Sequence, residues 1–454
     1  MTGTANAPVE HQTETSPGRR SARRRALIAG ATGNIVEWFD FTIYGFTAAV
    51  LATVFFPPEF GSGALLATFA LYGVAFLARP AGGIFFGRLG DRLGRRRSLS
   101  LAITLMGCST AAIGLLPTYA SIGVAAPLLL LLCRLVQGFS AGGEYTGAAT
   151  FVVEHAPSHR RGLYAGIISS SSFVGSILAT VTVLSFSSVG AEHFADGGWR
   201  WPFIIGGVVA MVGLFMRLAV EETPAFKEMQ ENDSLPTRPL ADLFRNHWRT
   251  LLTSFVYFAS LGVVTHMLLG YMPTFLVLSA DVPSTVALLM TTGALVLAVP
   301  LFIFFGATVD RIGRRPLVRI GMVMSVFVSV PSYMLIGTGN IFAIAIALAA
   351  LVIALSLLAS ALLVILEMMP THARFTGTAI PYNIAYALFA GTAPLVCAAL
   401  VNATGSDLSP AFYATAIALI ALPILWRGIP ETKKLVCHAG QPDETFLTTD
   451  APRL

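Results

Sequence analysis

The sequence predicts an all-α membrane protein of twelve transmembrane helices, arranged as two six-helix pseudo-repeats, and three observations lead there. Of 454 residues, 55% are hydrophobic and 12% charged, about half the charged share of ordinary soluble domains. Apolar stretches of about 20 residues or more, long enough to cross a bilayer as helices, recur along the whole chain. The third observation is a repeat: Gly87-Arg88-Leu89-Gly90-Asp91-Arg92-Leu93-Gly94-Arg95-Arg96-Arg97 returns 219 positions later as Gly306-Ala307-Thr308-Val309-Asp310-Arg311-Ile312-Gly313-Arg314-Arg315-Pro316. The segments are continuously apolar rather than alternating, which argues against a barrel, and helices satisfy their backbone polar groups internally.

The first segment, 28-54, follows Arg23-Arg24-Arg25. It is too long for a signal peptide and lacks a clear small-residue cleavage site, so it reads as a retained helix. Its Glu37, Asp40 and Tyr44 are spaced i, i+3, i+7, and Asn34 lies three residues before Glu37, so all four share one helix face. Ionisable groups cost about 2.5–3.5 kcal/mol each at a membrane helix centre, so this face points inward. Two carboxylates about one turn apart repel when both ionise. Either suits a coupling proton; a salt bridge to an arginine on a neighbouring helix is the alternative.

The second segment, 64-86, holds Arg79, nine residues before Arg88. That places it about 13 Å deep at 1.5 Å per residue, too far in for easy snorkelling. Gly82-Gly83 and Gly87 suit close helix packing, as do Gly142-Gly143. Segment 98-117 follows, then 123-153, where Arg134 lies near mid-membrane with Gln137 and Glu144 on roughly the same face. An arginine fork pairs bidentately with a carboxylate, whether of substrate or protein. Segments 163-187 and 200-219 complete the first half.

The second half has segments 250-278, 285-308, 316-337, 341-367, 375-401 and 409-426. His266 lies in the seventh, with Tyr257 and Tyr271, and Tyr382-Asn383 in the eleventh. His266, Tyr382 and Asn383 are candidate substrate contacts, and aromatic faces suit a quaternary ammonium. This half carries far fewer charges, so the first half is expected to recognise substrate charge. Two further repeat anchors support the duplication. Glu154-His155-Ala156-Pro157-Ser158-His159-Arg160-Arg161 aligns with Glu367-Met368-Met369-Pro370-Thr371-His372-Ala373-Arg374, and Glu222-Thr223 with Glu431-Thr432, at offsets of 213 and 209. The expected organisation is a tail at 1-25, a bundle at 26-220, a linker at 221-248, a bundle at 249-427 and a tail at 428-454.

The net charge is +5. With the N-terminus inside, 26 of the 29 basic residues fall on the cytoplasmic side, five of them assigned to the 217-249 connection, which orients the chain with both termini cytoplasmic. Topology thus explains the basic balance, and a nucleic-acid partner is not expected. Cys108, Cys133, Cys397 and Cys437 are scattered, so no disulfide framework is expected. There is no clustered metal-ligand set, HExxH, P-loop or nucleophile elbow, so neither a metal, a cofactor nor enzymatic activity is expected.

Six plus six helices with Gly-x-x-x-Asp-x-x-Gly-Arg-Arg in the 2-3 and 8-9 loops resembles the major facilitator superfamily over residues 26-434. Within it, Gly33-Asn34-Ile35-Val36-Glu37-Trp38-Phe39-Asp40-Phe41, Phe76-Leu77-Ala78-Arg79-Pro80, Arg134-Leu135-Val136-Gln137-Gly138 and Gly142-Gly143-Glu144-Tyr145 look like the metabolite:proton symporter family. Met267 to Leu276 and Asp310 to Pro316 lean toward its proline/betaine branch, although the long charged coiled-coil tail of that branch's osmosensing members is missing. The resemblance implies a monomeric plasma-membrane symporter for a proton and a small carboxylate-bearing metabolite, such as a proline/betaine-like zwitterion, 2-oxoglutarate or citrate. The rival is a proton-driven antiporter exporting a drug or metabolite. Asn34, Tyr44, Arg79, Arg134, Gln137, Glu144, His266, Tyr382 and Asn383 are the expected substrate contacts, and Glu37 and Asp40 the proton carriers. Asp91, Arg92, Arg95 and Arg96, with Asp310, Arg311, Arg314 and Arg315, are expected to latch the inner gate, the aspartates accepting from arginines or helix N-termini.

Overall fold

The computed structural model describes residues 17–187, 190–222, 239–370 and 373–433. Most of the linker, with Lys227, Glu228, Glu231 and Asp233, lies outside them, as do both ends of the chain and His372. Eleven helices among the described residues are long and apolar enough to cross a membrane. The remaining long helix is α1 (Pro17–Phe55), whose apolar run is diluted by Asn34, Glu37 and Asp40. Then come α2 (Ser62–Leu93), α3 (Arg95–Leu115), α4 (Ala125–His155), α5 (Arg161–Ser187) and α6 (Arg200–Leu218). The second half follows with α7 (Trp248–Ser279), α8 (Ser284–Ile312), α9 (Arg314–Ile336), α10 (Ile341–Met368), α11 (Arg374–Thr404) and α12 (Ser409–Gly428). No strand occurs among the described residues.

In the first half α1 packs on α4, α5 and α6, α2 on α4, and α3 on α6. In the second, α9 packs on α10 and α12, α8 on α10, and α7 on α11 and α12. The halves meet along two seams, α2 against α11 and α5 against α8. Large apolar side chains on the outside, among them Leu77, Phe215, Leu278, Phe327 and Phe342, are exposed. Water would not tolerate so broad an apolar surface on a soluble monomer, whereas lipid does.

The repeated loop motif explains the seams. Its first glycine, Gly87 or Gly306, is where the halves touch: a Cβ on Gly87 would press on Thr376, and one on Gly306 on the Gly162 backbone. Its last glycine, Gly94 or Gly313, turns the chain between two helices with φ of 104° and 113°, a region open to glycine at little cost. Within the first half, a Cβ on Gly138 would collide with the Ala75 carbonyl and one on Gly142 with that of Arg79. Small residues thus let α2 and α4 lie almost backbone to backbone, the usual way membrane helices gain packing.

One assignment is corrected. Arg217, placed in the connection between halves on sequence grounds, is fully buried inside α6. It is the penultimate residue of the helix, and its depth depends on how α6 packs, not on hydropathy. Both α7 and α11 contain one π-helical turn, Met267–Tyr271 and Tyr386–Ala390. Such turns often mark functional regions, and each of these borders the polar site described next.

Candidate functional site

Arg79 is the centre of a polar cluster at the α2–α11 seam. Its Nη2 donates to Glu37 Oε1 at 2.5 Å and, more weakly, to the Tyr382 hydroxyl and the Ala141 carbonyl, each at 3.4 Å. Its Nε donates to Asn383 Oδ1 at 3.3 Å. Asn383 in turn donates from Nδ2 to the Gly142 carbonyl at 2.6 Å. Four helices, α1, α2, α4 and α11, are therefore tied at one level, across both halves. The approach depends on glycine, because a Cβ on Gly83 would strike the Asn383 amide.

Glu37 is 0% exposed and Arg79 2%. A buried pair gives up several kcal/mol of hydration per ion (of order), so it adds little net stability, while removing one partner is costly. Such a pair suits a switch whose partners are exchanged. Glu37 Oε2 has no protein hydrogen-bond partner, leaving one carboxylate oxygen uncommitted.

Aromatic rings surround the guanidinium. The Arg79 Cζ lies 5.3 Å from the Phe41 ring centre, 5.6 Å from Phe76, 5.5 Å from Tyr382 and 6.0 Å from Tyr386. His266 packs beside them, its ring 5.4 Å from Tyr386, 5.6 Å from Phe76 and 6.0 Å from Trp38. The His266 Nδ1 is 3.1 Å from the Gly262 carbonyl, so the structure makes it a packed member of the aromatic group.

Asp40 and Glu37 share a helix face but no partner. Asp40 Oδ1 accepts from Thr110 Oγ1 at 2.5 Å and from Gln137 Nε2 at 2.7 Å. Gln137 Oε1 accepts from Arg134 Nη1 at 2.9 Å, so an amide is interposed between acid and guanidinium. Arg134 Cζ sits 4.1 Å from the Tyr44 ring centre, 5.3 Å from Phe41 and 5.5 Å from Tyr72. The Tyr44 hydroxyl donates to the Thr68 carbonyl at 3.0 Å. Asn34 ties α1 to α5, donating to the Ile168 carbonyl and to Ser171 and Ser172 hydroxyls at 2.8–2.9 Å. Glu144 turns to α6 and accepts from Arg217 Nη2 at 2.8 Å, beside Gly33.

At the end of the bundle bearing the two arginine-rich loops, a clasp joins the halves twice. Asp91 Oδ2 accepts from the Thr376 N–H at 3.0 Å and its hydroxyl at 2.5 Å, at the N-terminus of α11. Asp310 accepts from the Gly162 and Leu163 N–H groups at 2.8 and 2.9 Å, at the N-terminus of α5. Each aspartate is well placed against the positive end of a helix from the other half. Arg95 lies 3.2 Å from Asp91 and 3.5 Å from Glu154, and Glu154 also receives Arg374 across the seam at 3.3 Å. In the matching set, Arg314 lies 4.0 Å from Asp310 and 3.2 Å from Glu367, with Arg161 4.0 Å from Glu367 across the seam.

Among the loop arginines, Arg95 and Arg314 are woven into the clasp. The Arg96 side chain donates to the Leu218 carbonyl of its own half, and the Arg311 carbonyl accepts from Lys433 at 2.6 Å. Glu222 caps α3 through the Arg95 and Arg96 N–H groups, and Glu431 caps α9 through those of Arg314 and Arg315. Glu154, Glu367, Arg161, Arg374, Glu222 and Glu431 are not among the residues predicted for the gate. All six stand in the repeat anchors, so the duplication itself is the signal that could have found them.

Two six-helix halves enclosing a charged midplane and clasped at one end define a membrane transporter. The chain belongs to the Major Facilitator Superfamily, whose family model matches residues 31–381; it is a multi-pass membrane carrier and not an enzyme. It is 38% identical over 410 residues to a proline/betaine transporter of Salmonella typhimurium, spanning 88% of this chain and 82% of that one. A glycine betaine/proline/ectoine/pipecolic acid transporter of Dickeya dadantii is 39% identical with the same coverage. An ectoine/proline transporter of Corynebacterium glutamicum is 37% identical over 424 residues, 88% of this chain and 83% of that one. The fold is similar to that of the proton:xylose symporter XylE bound to 6-bromo-6-deoxy-D-glucose, with TM-score 0.73 at 18% identity, covering 91% of this chain and 97% of that one. A human organic anion transporter shares it at TM-score 0.67 and 16% identity, covering 89% and 99%.

Proposed function

We propose that the protein is a proton-coupled symporter that imports a small zwitterion of the proline or betaine kind by alternating access. The observation that carries this reading is the buried Glu37–Arg79 pair at the seam, met from the second half by Tyr382 and Asn383. A substrate carboxylate is the natural rival of Glu37 for Arg79. When it takes the guanidinium, Glu37 is left without its cation in a low-dielectric site and binds a proton, so the buried charge stays balanced. Release of substrate on the other side returns Arg79 to Glu37 and expels the proton. Asp40, reached by Arg134 through Gln137, is a second acid on the same helix that shares in this traffic.

The charge inventory favours a zwitterion over a multivalent anion. Away from the clasp, the buried acids Glu37, Asp40 and Glu144 stand against the buried arginines Arg79, Arg134 and Arg217, leaving no excess positive charge there. The similar carriers of proline, betaine and ectoine agree with this. In this reading the clasped end is cytoplasmic, following the basic loops, both termini are cytoplasmic and the membrane is the plasma membrane. One chain holds both halves of the site, so the monomer suffices. Asp91, Asp310 and their arginine partners separate when that end opens, and the halves rock about the glycine contacts.

Purified protein in liposomes tests the reading. Acidifying the outside should drive accumulation of labelled proline or glycine betaine against its gradient. Accumulation indifferent to the proton gradient, or efflux driven by the same gradient, would overturn it.

A further inference from the structure

Resting on the symport reading above, we propose that the aromatic cage now filled by the Arg79 guanidinium is the subsite for the substrate's ammonium group, so that the Arg79–Glu37 pair mimics a bound zwitterion. Four rings lie within 6.0 Å of the Arg79 Cζ, the range in which a ring face attracts a cation. Tyr382 and Tyr386 stand close together, ring centres 4.1 Å apart, and Phe41 and Phe76 complete the cage from the other half.

That origin in two halves decides between the cages. Arg134 also has three rings around it, Phe41, Tyr44 and Tyr72, but all belong to the first half, so rocking of the halves does not open that box. The Arg79 cage is shared across the seam and opens with it. Phe41 serves both cages, 5.3 Å from each guanidinium.

The exchange keeps the charges paired. The incoming carboxylate pairs with Arg79 and draws it out of the cage, and the ammonium enters among Phe76, Tyr382 and Tyr386. A quaternary ammonium has no N–H to donate, so ring faces are the protein's main means of holding it. A secondary ammonium such as that of proline can also donate hydrogen bonds, to the Tyr382 hydroxyl or Asn383 Oδ1. The cage therefore sets the preference for methylated over unmethylated zwitterions, while Arg79 serves both.

The test is equilibrium binding of glycine betaine and of proline to the purified full-length protein, with the thermal unfolding midpoint of each variant as a check on folding. Tyr386→Leu should weaken betaine about tenfold (about 1.4 kcal/mol) and proline less than about threefold. Tyr386→Phe, which keeps the ring, should restore betaine binding. Phe76→Leu is the second cage variant should Tyr386→Leu not fold, with the same selective loss expected. Tyr72→Leu, in the Arg134 box, should leave the betaine-to-proline ratio unchanged. Equal losses for both ligands in the cage variants, failure of Tyr386→Phe to rescue, or a changed ratio in Tyr72→Leu would overturn the cage assignment. Wild-type protein that binds neither zwitterion would instead overturn the symport reading on which it rests.

Discussion

At the clasped end the two halves carry the same charges in the same roles, Asp91, Arg95, Glu154 and Arg161 in one, Asp310, Arg314, Glu367 and Arg374 in the other. At the midplane, about 18 Å away along α2, they differ. The first half supplies Glu37 and Arg79, the second Tyr382, Tyr386, Asn383 and His266, with neither an acid nor an arginine among them. In the proposed reading the clasp is a gate between two bodies, each of which must hold the other, and both copies make contact: Asp91 grips α11 while Asp310 grips α5. A binding site at a single seam needs one cation and one acid. A second such pair from the other half would bring the desolvation cost of two more ions, on the order of several kcal/mol each, to a seam that one pair already serves.

The comparison can be broken most decisively at the midplane. Glu37→Gln should abolish uphill, proton-driven uptake while sparing exchange of substrate for substrate, and Asp40→Asn should do the same. Full accumulation in both variants would remove these acids from coupling. A smaller but still large effect is expected from Glu144→Gln, which leaves Arg217 buried against a neutral amide. Its cost is about 3–5 kcal/mol, read as a lowered thermal midpoint, with zwitterion affinity little changed. A variant of unchanged stability that no longer transports would move Glu144 into the transport chemistry.

The clasp offers the finer test. Asp91→Asn and Asp310→Asn each weaken charge-assisted hydrogen bonds worth about 1.5–3 kcal/mol, and both should raise labelling of cysteines introduced behind the clasp. Equal effects sharpen the contrast with the midplane, and an effect in only one would end the symmetric account. The smallest change is Thr376→Ala, which removes the hydroxyl donor to Asp91 but keeps the backbone one. About 0.5–1.5 kcal/mol of gate stability is expected to be lost, visible as slightly increased labelling in the same assay.

Much of the midplane site is legible in the amino-acid sequence. Glu37, Arg79, Tyr382 and Asn383 stand out because ionisable and amide groups inside long apolar runs are costly, and the fold brings all four together. The loop motif marks where the clasp forms. Partner choice is less legible. Asn34, Glu37, Asp40 and Tyr44 share one face of α1, yet they address α5, α2, α3 with α4, and the Thr68 carbonyl of α2 respectively. Helical periodicity fixes the side of a helix, but a face more than one neighbour wide says nothing of which neighbour a side chain meets. Arg217 escapes for a related reason, since a charge near a helix end looks like a loop residue until α4 and α6 are packed around it.

By itself, the sequence determined how many segments leave water, where they turn, that they occur twice and which residues cannot remain unpaired in lipid. These follow from transfer free energy and chain periodicity, which are properties of local composition. Only the tertiary structure decided that Arg79 takes Glu37 while Gln137 separates Arg134 from Asp40, and that Asp310 caps α5. Hydrogen bonds and ion pairs depend on direction and on distances of a few ångströms between segments 42 to 148 residues apart in these cases, so packing alone could assign them.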